Sequence, residues 1–387
     1  MKGHTARFQP AEALNRFRAC GDRRARVLCL AMPAILLLIL MRTSAWAAQE
    51  AAPRAADASI QIQQVAPGIY AALQPFAGRF NDSNSVILVQ DDGVVVIDTQ
   101  TTLTATRSVI EQIRKITDKP VKYVINTHWH GDHVQGNQVY REAFPGVQFI
   151  AQENTREDME KRTAAELKDE VANLPGQIDR YKQILASGKA PNGQPLTDAQ
   201  RNLVQMRIDV FSRQLPDLRQ THIVLPDFTF GETLTLYSGA KEIRLAHYAG
   251  HTRGDVAIFI PADKILVTGD LLDDMPFTGD GSPAGLVQTL REFDKLDFET
   301  IIPGHGGIEH GRDHLHQVTA LFESIVSQVQ AAVRDGLSLE DTKKRVNIEA
   351  FREPLTKGEE HASNAFNGFT SDAIERAYQE ATPKIKN

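Results

Sequence analysis

Short apolar runs that do not alternate with polar residues mark the first part of the chain. Residues 86–89 and Val94–Ile97 are two of them, separated by the turn signal Asp91-Asp92-Gly93. Val, Ile and Leu at consecutive positions predict strands buried on both faces. Residues 104–116 place Val109, Ile113 and Ile116 on one stripe, which predicts a helix, and Val121–Ile125 predicts a further strand. Strand and helix alternating in this way favour a layered α/β fold. Between residues 154 and 220 the pattern changes to charged, Ala-rich, helix-forming sequence broken at 188–195. Thr197 and Gln200 have capping-box spacing, and Val204, Ile208, Phe211 and Leu215 recur at helical intervals. The prediction is a helical hairpin inserted between two halves of the layered domain, either as a lid or as a packing or dimer face. Strand-like runs resume at 233–237, 243–247, 256–260 and 265–268. A C-terminal helix follows, with Leu315, Val318, Phe322, Ile325, Val329 and Val333 on one face and Gly336 as its stop.

The N-terminal region has a different character. Arg23-Arg24-Ala25-Arg26 precedes an apolar run over residues 27–41, and Ala45-Trp46-Ala47 follows. Positive region, apolar core and small-residue site, in that order, make a secretory signal over residues 1–47, with cleavage expected between Ala47 and Ala48. The apolar run is shorter than the roughly 20 residues of a permanent membrane span, so no stable membrane insertion is expected after cleavage. Residues 48–58 read as a flexible leader. A periplasmic or secreted location follows as an expectation.

Removing the signal also changes the charge balance and the thiol chemistry. The chain of 387 residues carries a formal charge of −6, and residues 1–47 contribute eight Lys/Arg against Glu12 and Asp22. The remainder is therefore at −12, a poor match for phosphate backbones, and nucleic-acid partners are not expected. Both cysteines, Cys20 and Cys29, lie in the segment to be removed, so thiolate metal ligands and Cys nucleophiles are excluded from the mature chain. Hydrophobic residues at 42% and charged residues at 24% exclude a disordered or polytopic membrane protein.

The strand Val121–Ile125 runs directly into Asn126-Thr127-His128-Trp129-His130-Gly131-Asp132-His133. On a loop, alternate residues can turn His128 and His130 toward one point, with Asp132 and His133 facing a neighbouring one. Imidazole and carboxylate suit zinc, and also iron or manganese. Further on, His251, Asp270 and His305 each follow an apolar strand and are flanked by glycine. Strands present ligands in this way at one rim of a sheet.

With those motifs in that order, the sequence resembles the metallo-β-lactamase superfamily of binuclear hydrolases, from about residue 60 to residue 307. The resemblance implies an αββα sandwich over 59–310, interrupted by the 154–220 insertion and followed by a helical C-terminal extension over 311–387. It assigns His128, His130 and His251 to a first metal, Asp132, His133 and His305 to a second, and Asp270 to a bridge between them. Asp98, at the end of Val94–Ile97, matches an aspartate that braces the histidine loop. Two zinc ions per chain are expected, about 3.5–4 Å apart and sharing a water of lowered pKa, with Asp132 orienting the hydroxide. Trp129, Tyr248, Arg253 and Phe277 lie beside ligand-bearing loops and are candidate substrate contacts.

The implied activity is hydrolysis of a small activated acyl substrate, foremost a β-lactam or lactone ring. A glyoxalase-II-like thioester hydrolase and a mononuclear-iron sulfur dioxygenase on the same fold are the alternatives. The pairing of His133 with Asp270 is more similar to the lactonase, glyoxalase-II and cyclase-like branches, whereas export suits a β-lactam-degrading enzyme. The sequence does not set the oligomeric state.

Overall fold

The computed structural model describes residues 60–74, 82–190, 192–238 and 241–382. The expected signal (1–47) and leader (48–58) lie outside the described residues. Two sheets face each other. The first contains β1 (Gln61–Ala66), β2 (Ile69–Leu73), β3 (Ser85–Val89), β4 (Val94–Ile97), β5 (Val121–Ile125), β6 (Gln148–Gln152) and β7 (Phe228–Phe230), in chain order across the sheet. Its early strands pair antiparallel and β4 to β7 pair parallel. The second sheet runs β13 (Glu309–His310), β12 (Thr300–Pro303), β11 (Ile265–Gly269), β10 (Asp255–Ile260), β9 (Lys241–Tyr248), β8 (Thr233–Ser238), with β11 and β12 its one parallel pair.

Three apolar layers follow from this arrangement. Val86, Leu88, Val95, Ile97, Ile125 and Ile150 of the first sheet meet Ile243, Leu245, Val256, Ile258, Ile265 and Val267 of the second. The intervening positions Ile87, Val94, Val96, Val124 and Phe149 point outward, beneath α1 (Leu103–Ile116) and the helices after β5. This is why β3 and β4 read as continuous apolar runs: both faces are covered. On the other side, Ala257, Leu266 and Ile301 lie under α7 (Pro283–Phe293), α8 (Asp313–Arg334) and α11 (Glu360–Ala381). The result is an αββα sandwich. Leu315, Val318, Phe322, Ile325 and Val329, expected on one helical face, are all buried in that outer layer, so the helices past residue 311 form a wall of the sandwich.

The first sheet's helices include the short turn α2 (Gly131–Val134) and α3 (Asn137–Ala143). After β6 the chain enters α4 (Glu153–Asp158), a π-helical turn over Met159–Thr163, and the long hairpin of α5 (Ala164–Ser187) and α6 (Asp198–Leu218). The Thr197–Gln200 capping box closes in both directions at the start of α6. The hairpin has its own apolar seam, with Leu167, Leu174 and Ile178 against Ile208, Phe211 and Leu218. Among the described residues no helix is long and apolar enough to cross a membrane.

Candidate metal centre

Parallel pairing brings the site together. β4 and β5 are neighbours running the same way, so Asp98 and the histidine loop leave the first sheet side by side. β11 and β12 do the same in the second sheet and deliver Asp270 and His305. His251 sits in the turn between β9 and β10. The sheets are tied across this rim by Val256 N–H donating to Thr127 O at 2.8 Å and Asn84 N–H donating to Gly304 O at 2.7 Å. The second half of the histidine motif is a helical turn and not an extended loop, with His133 N–H donating to His130 O at 3.0 Å.

Two groups of side chains result: His128, His130, His251 and Asp270 in one, Asp132, His133 and His305 in the other. In the first, His128 Nε2 lies 3.1 Å from His130 Nδ1 and 3.2 Å from His251 Nε2, and the last two are 2.8 Å apart. The far nitrogen of each ring is already engaged. His251 Nδ1 donates to Phe277 O at 2.6 Å, and His130 Nε2 meets Asp280 Oδ2 at 3.2 Å. Thr127 Oγ1 donates to Asp98 Oδ2 at 2.7 Å, so it accepts from His128 Nδ1 at 3.0 Å. Three lone pairs therefore converge, an arrangement that repels itself unless a cation lies between them.

In the second group His305 Nε2 is 3.0 Å from Asp132 Oδ2, and His133 Nε2 is 3.4 Å from the same oxygen. His133 Nδ1 donates to Asp98 Oδ2 at 2.8 Å. Asp270 reaches both groups, with Oδ1 3.3 Å from His133 Nε2 and Oδ2 3.4 Å from His305, 3.5 Å from His251 and 3.8 Å from His128. Among the described residues, His133 Nε2 and Asp270 Oδ1 are buried without a hydrogen-bond partner. Buried, orphaned donors of this chemistry fit divalent metal ions.

The electrostatics separate the two groups. Burial, with neighbouring imidazoles, holds His128 well below the usual histidine range and His251 down at about 4. Burial opposes charging of His133 and His305 as well, but the carboxylates override it. Asp270, Asp132 and Asp98 raise His133, and Asp270 with Asp132 raises His305 to about 10. Against the cost of burial, the same partners hold Asp132 and Asp270 well below the carboxylate range.

Asp98 holds the loop as expected: its carboxylate accepts Thr127 N–H and Oγ1–H, both at 2.7 Å, and the His133 ring, from a backbone at φ 58°. Aspartate tolerates that left-handed conformation better than branched residues. Gly304 is required by proximity. A Cβ there would stand 2.1 Å from Asp270 Oδ1 and 3.0 Å from His133 Cε1. Its backbone is pinned on both sides, by Gly269 O and by Asn84 N–H. Gly304→Ala is expected to displace Asp270 and weaken metal binding about 10–100-fold while the chain stays folded, measured as metal content after dialysis against a graded chelator.

The four candidate substrate contacts divide. Phe277 stands at the site, its ring 5.9 Å from the His251 ring and 6.5 Å from that of His130. Trp129 is completely buried and backs the loop without reaching open space, which corrects its expected role. Tyr248 packs on Phe293 at 4.9 Å in the outer helical layer. Arg253 is engaged by Asp158 at 2.8 Å and Glu157 at 2.9 Å, joining α4 to the β9–β10 turn. Both side chains are thus engaged by packing or pairing with other segments of the fold. The sequence reading missed Asp280, Arg162 and Glu170. Thr278-Gly279-Asp280 repeats the Thr268-Gly269-Asp270 triplet, a signal that was present in the chain.

The family model of the metallo-beta-lactamase superfamily matches residues 78–305, a span that holds all seven candidate ligands. The chain belongs to this superfamily. Among curated proteins, a linear primary-alkylsulfatase of Pseudomonas sp. (strain ATCC 19151) is 20% identical over 250 residues, which is 62% of this chain and 44% of that protein. Among solved structures, a stereoselective inverting sec-alkylsulfatase from Pseudomonas sp. superposes with a TM-score of 0.58 at 16% identity, over 83% of this chain and 50% of that one. This superfamily member thus spans half or less of the length of either relative.

Proposed function

We propose that the protein is an exported metal-dependent hydrolase that opens a small activated acyl substrate, a lactone or β-lactam ring, using two zinc ions. The observation that carries this reading is the double cluster with the Asp270 carboxylate reaching both halves. Zinc bound there supplies an acidified water and polarises a carbonyl oxygen. His128, His130 and His251 hold the first ion, and Asp132, His133 and His305 the second, with Asp270 serving both. Asp132 is the catalytic residue of the chain itself. It is the more accessible of the two carboxylates, its side chain 17% exposed against 7% for Asp270. The His133 and His305 rings keep it ionised, so at neutral pH it can accept a hydrogen bond from the attacking water and orient it.

The residues around the clusters bear on the choice between an acyl ring and a sulfate ester. Glu170 of α5 is half-buried, and burial together with the Asp132 and Glu166 carboxylates raises its pKa. A sulfate group seated beside Glu170 would add to that repulsion. The nearby Arg162 and Arg253 already have carboxylate partners. The alkylsulfatase relatives favour a second reading, cleavage of a sulfate monoester by the same centre.

A hydrolysis screen of the zinc-loaded chain from Ala48 onward separates the two. The panel is a chromogenic cephalosporin, an acyl-homoserine lactone, a primary alkyl sulfate and a glutathione thioester. Turnover of the lactone or cephalosporin with no release of sulfate supports the first reading. Sulfate release alone overturns it in favour of the second, and thioester turnover alone in favour of a glyoxalase-II-like reaction. One iron per chain with thiol-dependent oxygen uptake and no hydrolysis overturns the hydrolase reading. Export rests on the order of charged, apolar and small residues before Ala48. It is tested by the mass of the mature chain recovered from the periplasm.

A further inference from the structure

The helical insertion enters the metal centre at one point. Its π-helical turn, Met159–Thr163, carries one residue more per turn than an α-helix. Met159 is completely buried against Trp129 and Val134, and Thr163 Oγ1–H donates to Trp129 O at 2.6 Å. Between them Arg162 lays its guanidinium over the Trp129 ring, 3.9 Å from the centroid, and pairs with Asp280 Oδ1. The other oxygen of Asp280 faces His130 Nε2 at 3.2 Å. Trp129 stands between two candidate ligands in sequence, so the turn grips the ligand loop from below and the far side of one imidazole from above.

We propose that Arg162 and Asp280 are positioning residues for the first metal. Asp280 accepts the Nε2 proton of His130 and so leaves the Nδ1 lone pair for the ion, and Arg162, supplied by the insertion, holds Asp280 in that place. The insertion thereby sets the geometry of the His128–His130–His251 cluster without touching the ion. The inference rests on the binuclear reading above. The side chains of Arg162 and Asp280 are 38% and 29% exposed, so the pair adds little to folding stability and its loss will register at the metal. A carboxylate behind a metal-bound imidazole fixes tautomer and ring orientation and raises ligand basicity.

The test uses the full mature chain, with zinc affinities from chelator competition and the visible spectrum of the cobalt-substituted protein as a reporter of first-site geometry. Asp280→Asn is expected to weaken the first site about 10–100-fold and to alter the cobalt spectrum, with the second site unchanged. Arg162→Met is expected to weaken the same site about tenfold, Arg162→Lys to restore most of that loss, and the double variant to be no weaker than Asp280→Asn alone. Melting temperatures of the metal-free variants should match the parent. First-site affinity within about twofold of the parent in Asp280→Asn overturns the proposal, as do equal losses at both sites or full additivity in the double variant. A parent chain that binds no metal overturns the binuclear reading as well. A parent with two metals beside unaltered variants overturns the relay alone.

Discussion

Asp270→Ala is expected to lower turnover by at least about a thousandfold, equivalent to roughly 4 kcal/mol of transition-state stabilisation, and to strip metal from both sites. The reason is geometric. The Asp132 carboxylate reaches His133 and His305, at 3.4 and 3.0 Å, whereas Asp270 lies within 3.3–3.8 Å of His128, His133, His251 and His305. No other carboxylate among the described residues is placed between the two groups of imidazoles. Removing it therefore cannot be confined to one ion, and it also deletes the main negative charge facing His133 and His305. Asp270→Asn separates charge from shape, since the amide fills the same space but binds a cation weakly. If the asparagine variant loses metal as the alanine variant does, charge is the operative property. Metal content by mass spectrometry and turnover of whichever ester is found to be cleaved are the measurements, with far-UV circular dichroism as the control for folding. Full metal loading and full turnover in either variant would remove Asp270 from the centre.

Much of this centre could be read from the chain because strands and ligands coincide. The runs ending at Ile97, Ile125 and Gly269 are largely apolar and stop at the rim, so Asp98, the histidine loop and Asp270, which follow them, are delivered to the site. The C-terminal helix showed its buried stripe for the same reason, namely that the 3.6 period survives in sequence. Four things were missed. Asp280 lies in an irregular segment with no period to place it and only its repeated Thr-Gly-Asp triplet to mark it, and Arg162 lies in a π-helical turn whose register departs from α-helical spacing. Tyr248 and Arg253 lie next to ligand loops in sequence but are drawn away by Phe293 and by the Asp158–Glu157 pair, contacts made by distant segments. Proximity along the chain told where the loops run but not which partners their side chains take. The stretch from 311 onward read as an addition because nothing local reveals that Ala257, Leu266 and Ile301 leave one face of the second sheet bare.

The two metal sites are expected to fill at different pH, and the difference is large. His128 and His251 are depressed by burial, His251 to about 4, so both are neutral from weakly acid pH upward and give up no proton to a metal. His133 and His305 are raised, His305 to about 10, so in the metal-free protein they carry their protons at neutral pH and an ion must displace them. Asp132 and Asp270 are depressed and remain ionised throughout. Each displaced proton makes the apparent affinity rise about tenfold per pH unit, so from pH 6 to pH 8 the second site should strengthen at least about a hundredfold. Over the same interval the His128 and His251 donors should add no rise of this kind. The sign for folding is the reverse. The raised histidines stabilise the metal-free chain fully below the ordinary histidine pKa, and that contribution is lost as pH rises through about 10. Zinc titration calorimetry at the two pH values, in buffers of different ionisation enthalpy, reads both the affinities and the protons released. Proton release weighted toward the second equivalent of zinc is the expected result. Parallel pH dependence of the two equivalents would mean that the Asp132–His133–His305 group does not hold its protons through the carboxylates that surround it.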